Sequence, residues 1–229
     1  YCRIFRSCHD SYHPCRSILP CIHSYIADEK YAQGVKILEE FIGQYPNSKY
    51  NAQALSDLGL AYMNLGDEQK ALNYYDKVVQ AAPQSSQSKG ALDGIRDIYM
   101  ARGDADGYFN YAERRGVETN LSEMTRDSMS YAAAQKLYLD GKTREASQSL
   151  QNYIRNYPKG YYRQDALFFL GDCQVREGEE DAAIKTLSEL AAMGKTQYSE
   201  RVLDKLSTMC YERERYAGAA TAYRQLYDE

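Results

Sequence analysis

Residues 51–83 read NAQALSDLGLAYMNLGDEQKALNYYDKVVQAAP. Leu55, Leu58, Tyr62 and Leu65 recur at spacings of three and four, which places them on one face of a helix. The triplet LGD at 65–67 interrupts that pattern. Gly66 suits the left-handed conformation that ends a helix, and Asp67 suits the cap of the next. A second apolar stripe follows, formed by Ala71, Leu72, Tyr75, Val78 and Val79, and Pro83 closes it. Small residues at Gly59 and Ala71 let two helices approach closely. The pattern predicts a helical hairpin.

The same register recurs along the chain. Leu167, Leu170, Gly171, Gly178, Ala183, Leu187 and Leu190 repeat it, as do Ala133, Ala134, Leu137, Gly141, Ala146, Leu150, Tyr153 and Pro158. The last copy has Leu203, Leu206, Ala219, Tyr223 and Leu226. A weaker one has Leu92, Ile95, Tyr99 and Gly103, then departs at Tyr108 and Ala112, where a large and a small residue are exchanged. The first copy supplies only its second helix, through Gly34, Leu38, Phe41 and Pro46. Its first helix would occupy about residues 15–27, where Pro20 interrupts it at a cost of about 3 kcal/mol. Residues 1–17 are therefore expected to pack poorly, with any helix beginning after Pro20.

The hexapeptides YPNSKY (45–50) and YPKGYY (157–162) punctuate this array. Pro46, Pro83 and Pro158 are separated by 37, 75 and 112 residues, multiples of a unit near 37. Proline stops a second helix, polar residues turn the chain, and the flanking tyrosines can cover the hinge.

The order L-x2-L-G-x2-Y, then A-x3-aromatic and a closing proline, resembles the tetratricopeptide repeat, with Leu55 standing where tryptophan is usual. The resemblance implies an all-α fold, a right-handed superhelical solenoid of tandem antiparallel helical hairpins. The resemblance spans a solenoid over 25–229, and the Pro20 conflict with the register leaves 1–24 as an irregular leader that need not be native to the array. The solenoid divides into a half-hairpin at 25–50 and hairpins at 51–87, 88–120, 121–162, 163–198 and 199–229. The connections of YPNSKY type resemble those of envelope-associated members in Gram-negative bacteria, which implies a periplasmic or outer-membrane-associated protein.

In that family the first helix of each pair lines the concave surface. Carrying those positions over gives Gln53, Ser56, Leu60 and Met63, then Asp93, Asp97 and Met100, then Tyr131, Gln135 and Tyr138. Phe168, Asp172 and Val175 follow, and finally Asp204 and Tyr211. This mixture suits a peptide or helix with apolar anchors and basic residues. The Lys, Asn and Arg clamp by which some relatives hold a terminal carboxylate is replaced here by Gln, Ser, Asp and Tyr. The resemblance thus implies a non-enzymatic protein–protein scaffold. A self-associating module forming a homo-oligomer is the alternative.

Composition narrows the rest. The net charge is −4 with both signs interspersed, so the basic stripe that nucleic-acid binding requires is missing. The longest apolar runs are far short of the roughly 20 residues that span a bilayer, so no direct membrane insertion is expected. Starting at Tyr1, the chain reads as part of a longer or processed product, and a missing export signal says little about location. No histidine occurs after His23, which removes Ser-His-Asp and Cys-His chemistry from the array. No phosphate loop is present. Cys2, Cys8, Cys15 and Cys21 lie with His9, His13 and His23 in the leader, without the close pairs that zinc sites use. A leader disulfide and a metal-responsive leader remain alternatives to an unrelated segment. Cys173 and Cys210 read as buried small apolar residues. No catalytic residue, cofactor or metal is assigned.

Overall fold

A computed structural model describes residues 30–81, 85–117, 121–214 and 216–228. The expectations for residues 1–17, Pro20 and the leader cysteines and histidines lie outside these residues, as does Pro83. The described helices are α1 (Tyr31–Gln44), α2 (Asn51–Asn64), α3 (Glu68–Ala81), α4 (Ser86–Ala101), α5 (Ala105–Arg114) and α6 (Glu123–Leu139). They continue with α7 (Thr143–Asn156), α8 (Arg163–Arg176), α9 (Glu180–Ala192), α10 (Ser199–Glu212) and α11 (Tyr216–Asp228). Among the described residues there is no strand. Two compact units divide the chain, Tyr1–Ile98 and Tyr99–Glu229, so the division falls within α4.

In the first unit α2 packs along α1 and α3. The ring of Tyr75 on α3 explains the spacing. A Cβ added at Gly59 would come within 2.4 Å of that ring, and one added at Gly94 of α4 within 2.6 Å. The buried tyrosine therefore rests on bare backbone from two first helices. In the second unit α6 pairs with α7, α8 with α9 and α10 with α11, and each pair packs against the next. Leu187 on α9 packs at Gly171 of α8 as Tyr75 does at Gly59, a Cβ there falling 2.4 Å from its methyl. The core runs along the array: Leu38, Phe41, Leu58, Val78 and Ile95 in one unit, Leu150, Tyr153, Leu167, Leu187 and Leu203 in the other.

The hairpin turns share one geometry. Gly66, Gly103, Gly141 and Gly178 have φ of 77°, 70°, 74° and 76°. After each, a backbone N–H reaches back to close the helix: Asp67 to Tyr62, Asp104 to Tyr99, Lys142 to Leu137 and Glu179 to Gln174. In the last hairpin Glu214 takes this place with φ 57°, the only left-handed residue other than glycine among the described residues. Asp67 caps α3 by accepting from the Lys70 N–H, and Asp104 caps α5 by accepting from Gly107.

Two expectations shift. Leu65, placed on the apolar face by its spacing, is exposed, because it stands at the C-cap where the chain turns away. Helix α4 begins at Ser86, ahead of the expected boundary at 88, because Ser85 supplies the cap: its hydroxyl accepts from the Ser88 N–H at 3.0 Å.

Gly59→Ala is expected to destabilise by about 1–3 kcal/mol through crowding of Tyr75. Gly90→Ala, where a Cβ meets nothing within 4 Å, should stabilise by about 0.5–1 kcal/mol. Glu214→Gly should stabilise by about 1 kcal/mol by relieving a left-handed glutamate. Urea midpoints at constant m-value test all three.

Candidate functional site

The first helices carry the residues assigned to binding. What they offer a partner depends on which side chains are already engaged within the fold, and tyrosine decides most of that. Tyrosine hydroxyls donate across neighbouring elements to carboxylates: Tyr62 and Tyr74 to Glu39 at 2.8 and 3.0 Å, Tyr138 to Asp172 at 2.8 Å and Tyr157 to Asp106 at 2.8 Å. Tyr198 donates to Asp165 at 2.5 Å, and Tyr153 to the buried Asp127. A buried hydroxyl needs a partner, and a carboxylate in the adjoining repeat is within reach.

The two Tyr-Pro hexapeptides turn in the same way. The Ser48 N–H donates to Tyr45 O at 3.0 Å and Gly160 to Tyr157 O at 2.9 Å; Asn51 then donates to Ser48 O and Arg163 to Gly160 O. The second turn is tied further, since Asp127 accepts from the Tyr161 N–H at 2.7 Å. The tyrosine that ends it, Tyr162, stacks on Tyr131 with centroids 4.5 Å apart. Tyr198, ahead of α10, stacks on Phe168 at 4.1 Å. In the first unit Gln87, in the first turn of α4, donates to Gln53 of α2 at 3.3 Å.

Tyr131 is only 6% exposed and Phe168 only 8%, both held in these stacks. Spacing placed them correctly on the first helices. It did not reveal that the tyrosine before the following helix folds over them.

Asp172 is engaged by Tyr138, by Arg176 at 2.7 Å and by Lys205 at 3.2 Å. Burial alone would raise its carboxyl, but the Tyr138 hydroxyl and the Lys205 and Arg176 charges outweigh it and hold it below the ordinary range. Gln53 donates to Asp57, Asp93 and Asp97 pair with Arg96, and Val175 packs against the core. Met63, Met100, Gln135 and Tyr138 are half-buried, while Asp204 is exposed. Leu60 at 43% and Tyr211 at 62% are the exposed large apolar members. Arg176, Arg201 and Lys205 also stand on the first helices of the second unit. Arg201 lies over the Phe168 ring at 4.9 Å and Arg176 over Tyr138 at 5.1 Å. They went unassigned because a charged residue beside an apolar stripe reads as solvated.

Cys173 and Cys210 are buried, and burial pushes the Cys173 thiol up to about 11, which leaves it protonated and inert at neutral pH. Among the described residues no group of His, Cys, Asp and Glu could hold a metal ion, and no helix is long and apolar enough to cross a membrane.

Tandem hairpins whose first helices present side chains in register define a repeat scaffold for protein–protein contact. Three family models, each described as "Tetratricopeptide repeat", match residues 24–48, 52–85 and 131–198, together more than half of the chain. The chain belongs to the tetratricopeptide repeat proteins, whose repeats are generally non-enzymatic interaction modules. No curated protein matches it. Among solved structures it is similar to a tetratricopeptide repeat protein from Parabacteroides merdae ATCC 43184, at 13% identity, 93% of this chain, 79% of that one and TM-score 0.41. It is also similar to PilF of Pseudomonas aeruginosa (15%, 92%, 89%, TM-score 0.38) and to the TPR domain of P58(IPK) (16%, 93%, 59%, TM-score 0.41).

Burial first, and then the carboxylate partner where there is one, pushes the hydroxyls of Tyr62, Tyr75, Tyr157 and Tyr198 from 10.0 up to about 12. The folded state holds these protons more tightly than the unfolded chain. Stability is therefore fully present below pH 10 and is lost as pH rises from 10 towards 12. The melting temperature should be flat from pH 8 to about 9.5 and fall steeply above it. Tyr153→Phe should cost about 1–3 kcal/mol by leaving the buried Asp127 without its hydroxyl donor.

Proposed function

We propose that the chain is a non-enzymatic adaptor that binds a peptide or helix of a partner protein along its first helices, the concave surface of the solenoid. The single observation that carries this reading is that, among the assigned first-helix positions, Leu60 and Tyr211 are the exposed large apolar side chains while Met63, Met100, Tyr131, Tyr138, Phe168 and Val175 are buried or half-buried. Exposed apolar residues on rigid helices offer anchors at low entropic cost. In the first unit Asp93 and Asp97 share one base, Arg96, which leaves an excess acid and favours basic residues in that part of the partner. Gln53, Ser56 and Met63 flank this strip. Met100, Gln135, Tyr138, Val175 and Tyr211 supply the rest of the contact.

The complex is placed in the Gram-negative cell envelope, in the periplasm or at the outer membrane. The support for that location is the likeness of the YPNSKY connections to those of envelope-associated members of the family. The array over residues 25–229 acts as the binding body, and the leader over 1–24 takes no part.

A photo-crosslinking residue placed at Leu60 or at Tyr211, and at Asn73 on α3 as control, tests the reading in envelope extract. One partner should be captured from positions 60 and 211 and not from 73. Equal capture at all three positions, or capture at 73 alone, would remove the binding face. Leu60→Asp should lower recovery of that partner about tenfold with no change in melting temperature, since an exposed side chain is altered.

A further inference from the structure

The residue that opens a first helix bridges to the preceding second helix in two copies of the repeat and not in a third. Asn51 opens α2, and its side-chain nitrogen donates to Tyr45 O at 3.0 Å, just past the end of α1. Arg163 opens α8; its Nη1 donates to Ile154 O of α7 at 3.0 Å, and its Nη2 reaches Glu189 of α9. Ser199 opens α10, 36 residues after Arg163. The backbone confirms that register: the Arg163 N–H donates to Gly160 O and the Ser199 N–H to Thr196 O, the Ala166 N–H to Tyr162 O and the Val202 N–H to Tyr198 O. The same offset carries Ile154 to Leu190 and Glu189 to Gln225. Serine is too short to make the Arg163 bridge, and its hydroxyl instead accepts from the Thr196 N–H at 2.8 Å. Where the Arg163 side chain lies in one repeat, a cavity of about 240 Å³ lies in the next. Leu190, Val202 and Leu203 wall it, and Thr196, Ser199 and Gln225 give it a polar side. The Thr196 hydroxyl accepts from the Tyr198 N–H at 3.1 Å, so both hydroxyls serve the turn. The Gln225 amide makes no hydrogen bond among the described residues.

We propose that this cavity takes an uncharged carboxamide side chain, glutamine or asparagine, from a partner segment. One N–H of the ligand amide donates to the Leu190 carbonyl, the counterpart of Ile154 O, and the other to the Gln225 side-chain oxygen. The Gln225 NH2 in turn donates to the ligand carbonyl, so each amide uses both its donor and its acceptor. Leu190 O accepts from the Met193 N–H at 3.1 Å and keeps a second lone pair for the ligand. The apolar walls cover the methylenes. Charge excludes a second arginine from this place. Glu189 neutralises Arg163, whereas none of the lining residues is charged. Beside them in sequence stand three bases, Lys195, Arg201 and Arg224, and three acids, Glu189, Glu200 and Asp204, a balance that favours neither sign. A cation or an anion would therefore enter without a counter-charge, at the cost of its desolvation. Neither Leu60 nor Tyr211 lines the cavity. That the side chain comes from a protein partner rests on the adaptor reading; the preference for a carboxamide does not.

N-acetylglutamine methylamide is titrated into the full chain and followed by the methyl resonances of Val202 and Leu203, with the glutamate, arginine and leucine analogues as comparators. The glutamine compound should shift these methyls saturably and bind about tenfold more tightly than the other three. Ser199→Arg with Gln225→Glu rebuilds the Arg163–Glu189 pair in this repeat; it should abolish the shifts without lowering the melting temperature. Arg163→Ser with Glu189→Gln should create a second site, read at the methyls of Ala166 and Leu167, a gain that misfolding cannot produce. Equal binding of the leucine analogue, or tighter binding of the arginine or glutamate analogue, would overturn the carboxamide preference. Shifts that persist in the Ser199→Arg, Gln225→Glu protein, or no shift with any compound, would overturn the site itself. Crosslinking from positions 60 and 211 reads the adaptor proposal separately, so each can fail alone.

Discussion

A hairpin of two short helices cannot bury its own apolar face, and the fold depends on how the next hairpin closes it. Within a hairpin a ring or branched side chain of the second helix lies on glycine backbone of the first, as Tyr75 does on Gly59 and Leu187 on Gly171, and Tyr75 also meets the next hairpin at Gly94. A fully buried side chain of this size contributes about 1.5–3 kcal/mol, and the contribution exists only while the backbones stay within reach. Each interface is shared by neighbours, so stability accumulates along each unit by nearest-neighbour terms. The crowding caused by a side chain at Gly59 could not be relieved locally, because the same ring is held from its other side by Gly94.

Tyrosine serves this arrangement where phenylalanine would not. Its body fills the groove between helices and its hydroxyl finds a carboxylate in the next repeat, as Tyr138 does at Asp172 and Tyr198 at Asp165. The pairing orients neighbouring hairpins and raises the hydroxyl pKa values through burial. Carboxylates that accept from tyrosine are thereby engaged within the fold, and Arg176 and Arg201 lie over the rings of Tyr138 and Phe168.

The turns prepare the same faces. In YPKGYY the backbone is closed by Gly160 to Tyr157 and Arg163 to Gly160, and Asp127 holds it from α6. This places Tyr162 over Tyr131, so one connection ends a helix, starts the next and covers part of the first-helix stripe. In the first unit a polar tether joins Gln87 of α4 to Gln53 of α2. The exposed Leu60 lies one helical turn beyond Ser56.

Much of this was written in the chain. Apolar spacing of three and four, glycines at 66, 103, 141 and 178 and prolines a repeat apart specify paired helices and their turns, because helix periodicity and left-handed backbone are local requirements. The glycine rule failed at Glu214 alone, where the chain adopts the same turn at a cost borne by the rest of the hairpin. Spacing also named the first-helix positions. Which of them stay open to solvent depends on residues 30 or more places away: Tyr162 and Tyr198 cover Tyr131 and Phe168, and Lys205 takes up Asp172. Periodicity assigns a side chain to a face of its own helix. Exposure and residual charge depend on what other helices bring to that face, and only packing in three dimensions decides that.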